Sequence, residues 1–314
     1  MTQEPKGKIC SLLPSATEIV FALGLGDRLV GVTHECDYPL AARQLPVVTR
    51  SLLSHEVRDS RDIHRHISGA LHQGSSLYVL DQSLLEQLDP KLILTQELCD
   101  VCAVSYELVE AAVLRLPGKR QVMSLEPTSL DGILATIEQV ADADDVSERA
   151  PTVIAPLRSR IEAVTRAVEG MTVRPRVLAV EWLDPLFTAG HWVPEMVRLA
   201  GGQAMAGVES QPSTQITWPQ VIEADPEIIV LMPCGFTLER TLAEPAKVRF
   251  AEEWQRRAGG KLPRLYAVNG SAYFNRPGPR IVDGLEILLE IIHPDLAEAQ
   301  WKGITWRPLG EGGT

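Results

Sequence analysis

The sequence lacks a run of about 20 apolar residues, the length a helix needs to cross a bilayer, so insertion into a membrane as a helix is excluded. It also lacks a basic excess. Its 30 Lys and Arg against 41 Asp and Glu leave a formal net charge of -11, and sequence-independent binding to nucleic acid needs a basic face. Cysteine is scarce, with five in 314 residues. An odd count does not fit the even pairing of a secreted disulfide framework, and free thiols persist in reducing compartments. The opening MTQEPKGKICSLLPS has no apolar stretch of about 7–15 residues, so it does not read as a signal peptide. These features predict a cytoplasmic protein, the alternative being a periplasmic one whose leader is absent from this sequence. There is no P-loop, no HExxH and no Ser-His-Asp order to support a hydrolase.

What is present is a regular alternation of strand and helix. The composition, 45% hydrophobic and 23% charged, is that of an ordinary globular chain, and its length suits two lobes. KICSLL, RLVGV, KLILT, RQVMSL, RVLAVEW, EIIVLM and RLYAVN read as strands. The helix after the first strand is predicted to start at a Ser15 cap completed by Glu18. Gly24 and Gly26 follow that helix and read as its stop rather than as a dinucleotide fingerprint. Segment 54–76 is polar, with Val57, Ile63, Ile67 and Leu71 at helical spacing, and reads as an amphipathic surface helix. Within it, His55, His64, His66 and His72 fit a solvated helix face. A long helix covers about Val146 to Glu169, and Pro156 is predicted to kink or restart it.

One pattern occurs twice. LLEQLDPKLILTQ (84–96) matches VIEADPEIIVLMP (221–233): helix, Asp-Pro turn, buried strand, loop. The expected fold is therefore α/β, two doubly wound lobes with parallel sheets (1–145 and 171–314) joined by one rigid helix (146–170). Ligands bind beyond the carboxyl ends of parallel strands, which predicts a cleft lined by strand-end loops of both lobes. Cys36, Cys99, Cys102 and Cys234 all follow such strand ends, and Cys234 aligns with Leu98, beside Cys99. They are either small apolar fillers, a thiolate site for zinc or an iron–sulfur cluster, or a redox dithiol; Cys10, inside the first strand, belongs to the core. Aromatic residues gather at similar places: Tyr38, Trp182, Trp192, Trp218, Phe236, Tyr273 and Phe274. A wide cleft with aromatic walls suits a large, flat, partly apolar ligand, although Trp192 and Trp218 also fit packing under loops.

SLLPSATEIVFALGLGDRLVGVTHECDYP, LDPKLILTQ and EWLDPLFTAGHWVPEMVRLAGG resemble the cobalamin-binding members of the class III substrate-binding proteins of ABC importers, over about residues 8–293. The resemblance implies a corrinoid held near Asp37, Tyr38, Pro39, Trp182, Phe187 and Tyr273. It also implies a docking glutamate on each lobe, but Ser83 and Arg198 stand at those positions, with Glu86 and Glu195 offset from them, so an importer partner is doubtful. The expectation is a corrinoid-binding protein, monomeric or weakly dimeric, rather than an enzyme. A corrinoid reductase or chelatase-like enzyme using the thiols, and a metal or iron–sulfur protein without corrinoid, are the alternatives.

Overall fold

The structure is a computed structural model that describes residues 7–52, 59–72, 78–96, 109, 113, 120–244, 250, 252–256 and 263–309. The chain divides into two compact units: Met1–Val57 with Arg65–Pro127 and Asp131–Ala155, and Arg58–His64 with Thr128–Leu130 and Pro156–Thr314.

The first unit contains β1 (Ile9–Ser11), β2 (Leu29–Val32), β3 (Thr49–Ser51), β4 (Tyr78–Leu80), β5 (Leu92–Thr95) and β6 (Gln121–Ser124). Its main sheet runs β2-β1-β5-β6, parallel throughout. A parallel strand covered on both faces needs apolar residues without alternation, and β1 and β5 are buried at every position. Strands β3 and β4 form a separate antiparallel pair. Cys10 packs with Leu12, Val48, Leu80, Leu85 and Ile93 in the core.

The helix Pro14–Ala22 does not start at the expected cap. Leu13 holds the N-cap position without a side-chain bond, while Ser15 and Glu18 are buried within the helix. The cause is Pro14. Its fixed φ suits the first helical position, where its missing N–H costs nothing, so the helix begins one residue before Ser15.

The second unit contains β7 (Arg176–Leu183), β8 (Leu186–Thr188), β9 (Gln203–Ala204), β10 (Thr214–Gln215), β11 (Ile228–Leu231), β12 (Arg264–Val268) and β13 (Trp306–Leu309). The order is β10-β8-β7-β11-β12-β13, with β9 also paired to β7. The centre β7-β11-β12 is parallel, but β8, β10 and β13 are antiparallel. This sheet is thus mixed, not wholly parallel as expected.

The internal repeat has a matching local geometry in each unit. Asp89 and Asp225 both take left-handed backbone, with φ of 47° and 42°, as an Asp before Pro can at a helix end. Each carboxylate meets the arginine that leads into a neighbouring strand: Arg120 with Asp89 at 2.6 Å and Arg176 with Asp225 at 2.9 Å. The helix Ala150–Ala167 runs through Pro156 without restarting. Pro156 and Thr152 are both exposed, so the carbonyl that loses its partner remains open to water.

Candidate binding faces of the two units

In the first unit, the loop after β2 is shaped by a small polar knot. The Thr49 hydroxyl donates to Thr33 Oγ1 at 2.9 Å. With its proton committed there, Thr49 Oγ1 accepts from His34 N at 3.1 Å and from His34 Nδ1 at 2.8 Å, which sets the proton of the imidazole on Nδ1. The ring lies 5.3 Å from that of Tyr78. Burial pulls the His34 pKa below the usual histidine range, partly offset by the Glu35 carboxylate, so the ring is neutral at pH 7. Beyond this knot the chain turns outward. Asp37 is exposed, Tyr38 is 48% exposed, and Pro39 follows through a cis peptide bond. The three residues named by the resemblance on this unit therefore share one protruding loop.

The cysteines do not join them. Cys36 is buried and shares a hydrogen bond with Thr17 Oγ1 at 3.0 Å, so its thiol faces the helix behind the loop. Cys10 is fully buried, and burial together with nearby Cys36 pushes its thiol pKa far up, which suits an inert core thiol. Cys99 and Cys102 lie outside the described residues, as does His55. Cys234, in the second unit, is half-buried. Among the described residues, no group of three His, Cys, Asp or Glu side chains could hold a metal ion. The expected zinc or iron–sulfur site is not supported. A strand-end position placed Cys36 near the loop tip, but its side chain points inward.

In the second unit, the centre of interest is the hairpin of β7 and β8. Trp182 and Phe187 are direct cross-strand partners and so stand on the same side of the hairpin. Asp184 and cis-Pro185 make the turn. The Trp182 ring meets Phe236 edge-on at 5.5 Å, and the Arg240 guanidinium lies 4.0 Å over Phe236 from another side. Phe236 is only 1% exposed and Phe274 is 0%. Trp192 is buried and donates its Nε1 proton to Phe274 O at 2.8 Å. These three expected wall residues stand behind the surface and brace it, because a flat apolar ring gains most where water is removed from both its faces. Tyr273 is half-buried, 5.9 Å from the Trp301 ring and beneath Arg280.

The motif FTAG owes its glycine to a close approach. A Cβ on Gly190 would lie 2.4 Å from Ser213 N and 2.5 Å from Gln211 O. The neighbouring Glu181 carboxylate accepts from Ser213 Oγ at 2.8 Å and from the Gly190 backbone. Burial nevertheless dominates and raises its pKa above the usual carboxylate range. Glu181 was not singled out from the sequence. The one signal was an acid inside the apolar run RVLAVEW.

Segment 58–64 belongs to the second unit, and sequence reasoning missed its role there. Asp59 Oδ1 accepts from Asp62 N at 2.8 Å and so caps the helix Ser60–His72. Ser60 is fully buried and donates from its N and Oγ to Glu244, both at 3.2 Å. Its carbonyl accepts from Trp182 Nε1 at 3.1 Å. Arg61 pairs with Asp184 at 2.8 Å, and the His64 ring lies 5.9 Å from Phe187. The supposed solvated face thus starts with a turn fixed onto the hairpin.

Two further features of this unit lie elsewhere. A groove of about 1440 Å3 beside the amino end of β7, lined in part by Arg166, Arg174, Arg198 and Glu209, contains none of the expected ligand residues. The side chains considered for docking are engaged: Arg198 pairs with Glu209 at 2.6 Å, and Glu195 accepts from Leu130 N at 2.9 Å.

Comparison with known proteins gives consistent matches. The profile of a family described as periplasmic binding protein matches residues 84–267. An uncharacterized ABC transporter substrate-binding lipoprotein of Bacillus subtilis (strain 168) is 24% identical over 298 residues, covering 93% of this chain and 82% of the relative. The vitamin B12-binding protein of Vibrio cholerae is 27% identical over 286 residues, covering 90% and 87%. Among solved structures, a periplasmic heme-binding protein from Pseudomonas aeruginosa superposes with a TM-score of 0.66 at 19% identity, covering 97% of this chain and 95% of that one. These matches overturn the cytoplasmic expectation. The matched family is periplasmic, and one relative along nearly the whole chain is a lipoprotein, so an extracytoplasmic place replaces it. The thiol count was a weak guide to compartment, because buried thiols such as Cys10 and Cys36 pack as small apolar side chains wherever the protein resides.

Proposed function

Since this chain belongs to the periplasmic binding protein family, which makes it a substrate-binding protein, we propose that its substrate is cobalamin or a closely related corrinoid. The observation that supports this most is the Trp182–Phe187 pair on the β7–β8 hairpin, in a chain that is similar along 90% of its length to a vitamin B12-binding protein. A corrinoid is broad and partly apolar, with an amide-bearing rim. Two aromatic side chains on one side of a hairpin offer its face a flat apolar support. On the first unit, the exposed Tyr38 and its neighbours Asp37 and Pro39 offer an aromatic surface with a polar edge of their own.

The protein acts by holding and releasing its ligand, with no bond made or broken. An ABC importer then receives the cargo, as the name of the Bacillus relative suggests. Ser83 and Arg198 stand where the docking glutamates are expected, so that contact would rest on other side chains; Glu86, exposed on the first unit, is the nearest candidate.

The test is calorimetric titration of the protein with cyanocobalamin, hydroxocobalamin and haemin. Micromolar or tighter binding of a corrinoid with weaker binding of haemin is expected. Binding of haemin alone would move the assignment to the ligand class of the Pseudomonas protein.

A further inference from the structure

We propose that the first turn of the helix Ser60–His72 is a fixed part of the ligand-binding face of the second unit, with His64 adding a ring to the Trp182–Phe187 pair. This extends the substrate-binding reading and rests on it. Segment 59–64 arrives at the hairpin from more than 110 residues away in sequence, and four independent contacts hold it there. Ser60 places two donors on the Glu244 carboxylate, itself 2% exposed. The Trp182 indole donates to Ser60 O, Arg61 pairs with Asp184 at the hairpin turn, and His64 lies tilted by 48° against Phe187. Ile63, 7% exposed, is buried with them.

Lifting the segment would strip both Ser60 donors from a buried carboxylate and leave the Trp182 N–H without its acceptor. Buried polar groups stripped of partners are costly, so the turn is built into the face rather than laid over it. Its consequence is chemical. Trp182 has its indole N–H committed to Ser60 and its ring in a T-shaped contact with Phe236, which fixes its orientation before any ligand arrives. His64 and Phe187, both half-buried, form an adjoining aromatic surface with a polar imidazole edge. Arg61, whose side chain is 57% exposed, keeps N–H donors free of the Asp184 contact for carbonyl or carboxylate groups. The ligand class that fits is a flat apolar ring system carrying acceptors on its rim.

The experiment compares wild type, His64→Ala, His64→Phe and Glu244→Gln by titration with cyanocobalamin and with haemin, after thermal melts show that each variant is folded. His64→Ala is expected to weaken binding of whichever probe the wild type takes by about three- to tenfold, the worth of one aromatic contact, and His64→Phe to restore most of it. Glu244→Gln, which loosens the anchor, is expected to weaken binding in the same direction. Unchanged affinity in His64→Ala, or tighter binding in either loosened variant, overturns the inference; the latter would make the turn a cover that competes with ligand. Failure of the wild type to bind either probe is a different outcome, since it refutes the tetrapyrrole reading and the inference with it.

Discussion

Gly284 offers a sharp test of how the second unit holds Tyr273. It lies in the helix Ile281–Ile292, where glycine is a poor choice: alanine would favour the helix by about 1 kcal/mol. The packing demands it. A Cβ at this position would stand 2.1 Å from the Tyr273 carbonyl oxygen and 3.0 Å from Met196 Cε. A carbon and a carbonyl oxygen normally stay about 3.3 Å or more apart, so this helix and the short helix Gly270–Tyr273 would have to separate by about 1 Å. The obstructing atom is backbone, which cannot swing aside as the end of a side chain can. Overpacking of this kind costs about 1–3 kcal/mol, and here the upper end applies. Subtracting the gain in helix propensity leaves Gly284→Ala destabilised by about 1–2 kcal/mol, equivalent to a drop of roughly 2–8 °C in Tm for a unit of this size. The assay is direct because all six tryptophans, at 182, 192, 218, 254, 301 and 306, fall in the second unit. Tryptophan fluorescence on heating therefore follows that unit alone. Ligand affinity should fall as well, because the displaced carbonyl belongs to Tyr273. A Tm equal to or above wild type would show that the helix has room, and the packing argument would be refuted.

Glu290 is 2% exposed and accepts from Trp301 N and Lys302 N, each at 3.0 Å; Glu290→Ala orphans both donors and should cost about 2 kcal/mol or more, measured as a lower urea midpoint. Glu181 has a pKa raised by burial, so the folded state holds its proton more tightly than the unfolded chain does. Stability then falls as pH rises from the ordinary carboxylate range through the raised value. Glu181→Gln should remove that slope and be the more stable protein at pH 8, and equal urea midpoints for the two proteins at pH 5 and pH 8 would contradict it. Arg160 bridges Asp283 at 2.5 Å and Glu286 at 2.8 Å; the site is partly open to solvent, so Arg160→Ala should cost only about 1 kcal/mol, less at high salt, as read from melts at two ionic strengths.

The central parallel strands were legible because burial on both faces writes itself into local sequence as apolar runs, as in Ile228–Leu231 and Leu92–Thr95. The Asp-Pro repeat was legible for a similar reason, since a left-handed aspartate before proline is a local event. The antiparallel strands were not. Thr214–Gln215 is two exposed polar residues and Trp306–Leu309 contains a proline; pairing with a neighbour makes them strands, and the neighbour lies elsewhere in the chain. Ser15 shows local rules competing, where Pro14 prevailed over a capping pattern. Tyr38 and Trp182 were named from strand-end position and Phe187 from resemblance, but position alone could not separate such exposed or half-buried rings from Phe236 and Phe274, which face inward.

By itself, then, the sequence determined the alternation of strands and helices, the repeated α/β unit and the loops that could meet a ligand, because each depends on residues a few places apart. Tertiary structure alone decided which way Cys36 points and which acid receives Ser60. It also decided that a polar turn at 59–64 lies on a hairpin more than 110 residues onward. A polar side chain within the protein must find a partner, and its residue type says that a partner is needed without saying which one the folded chain will bring.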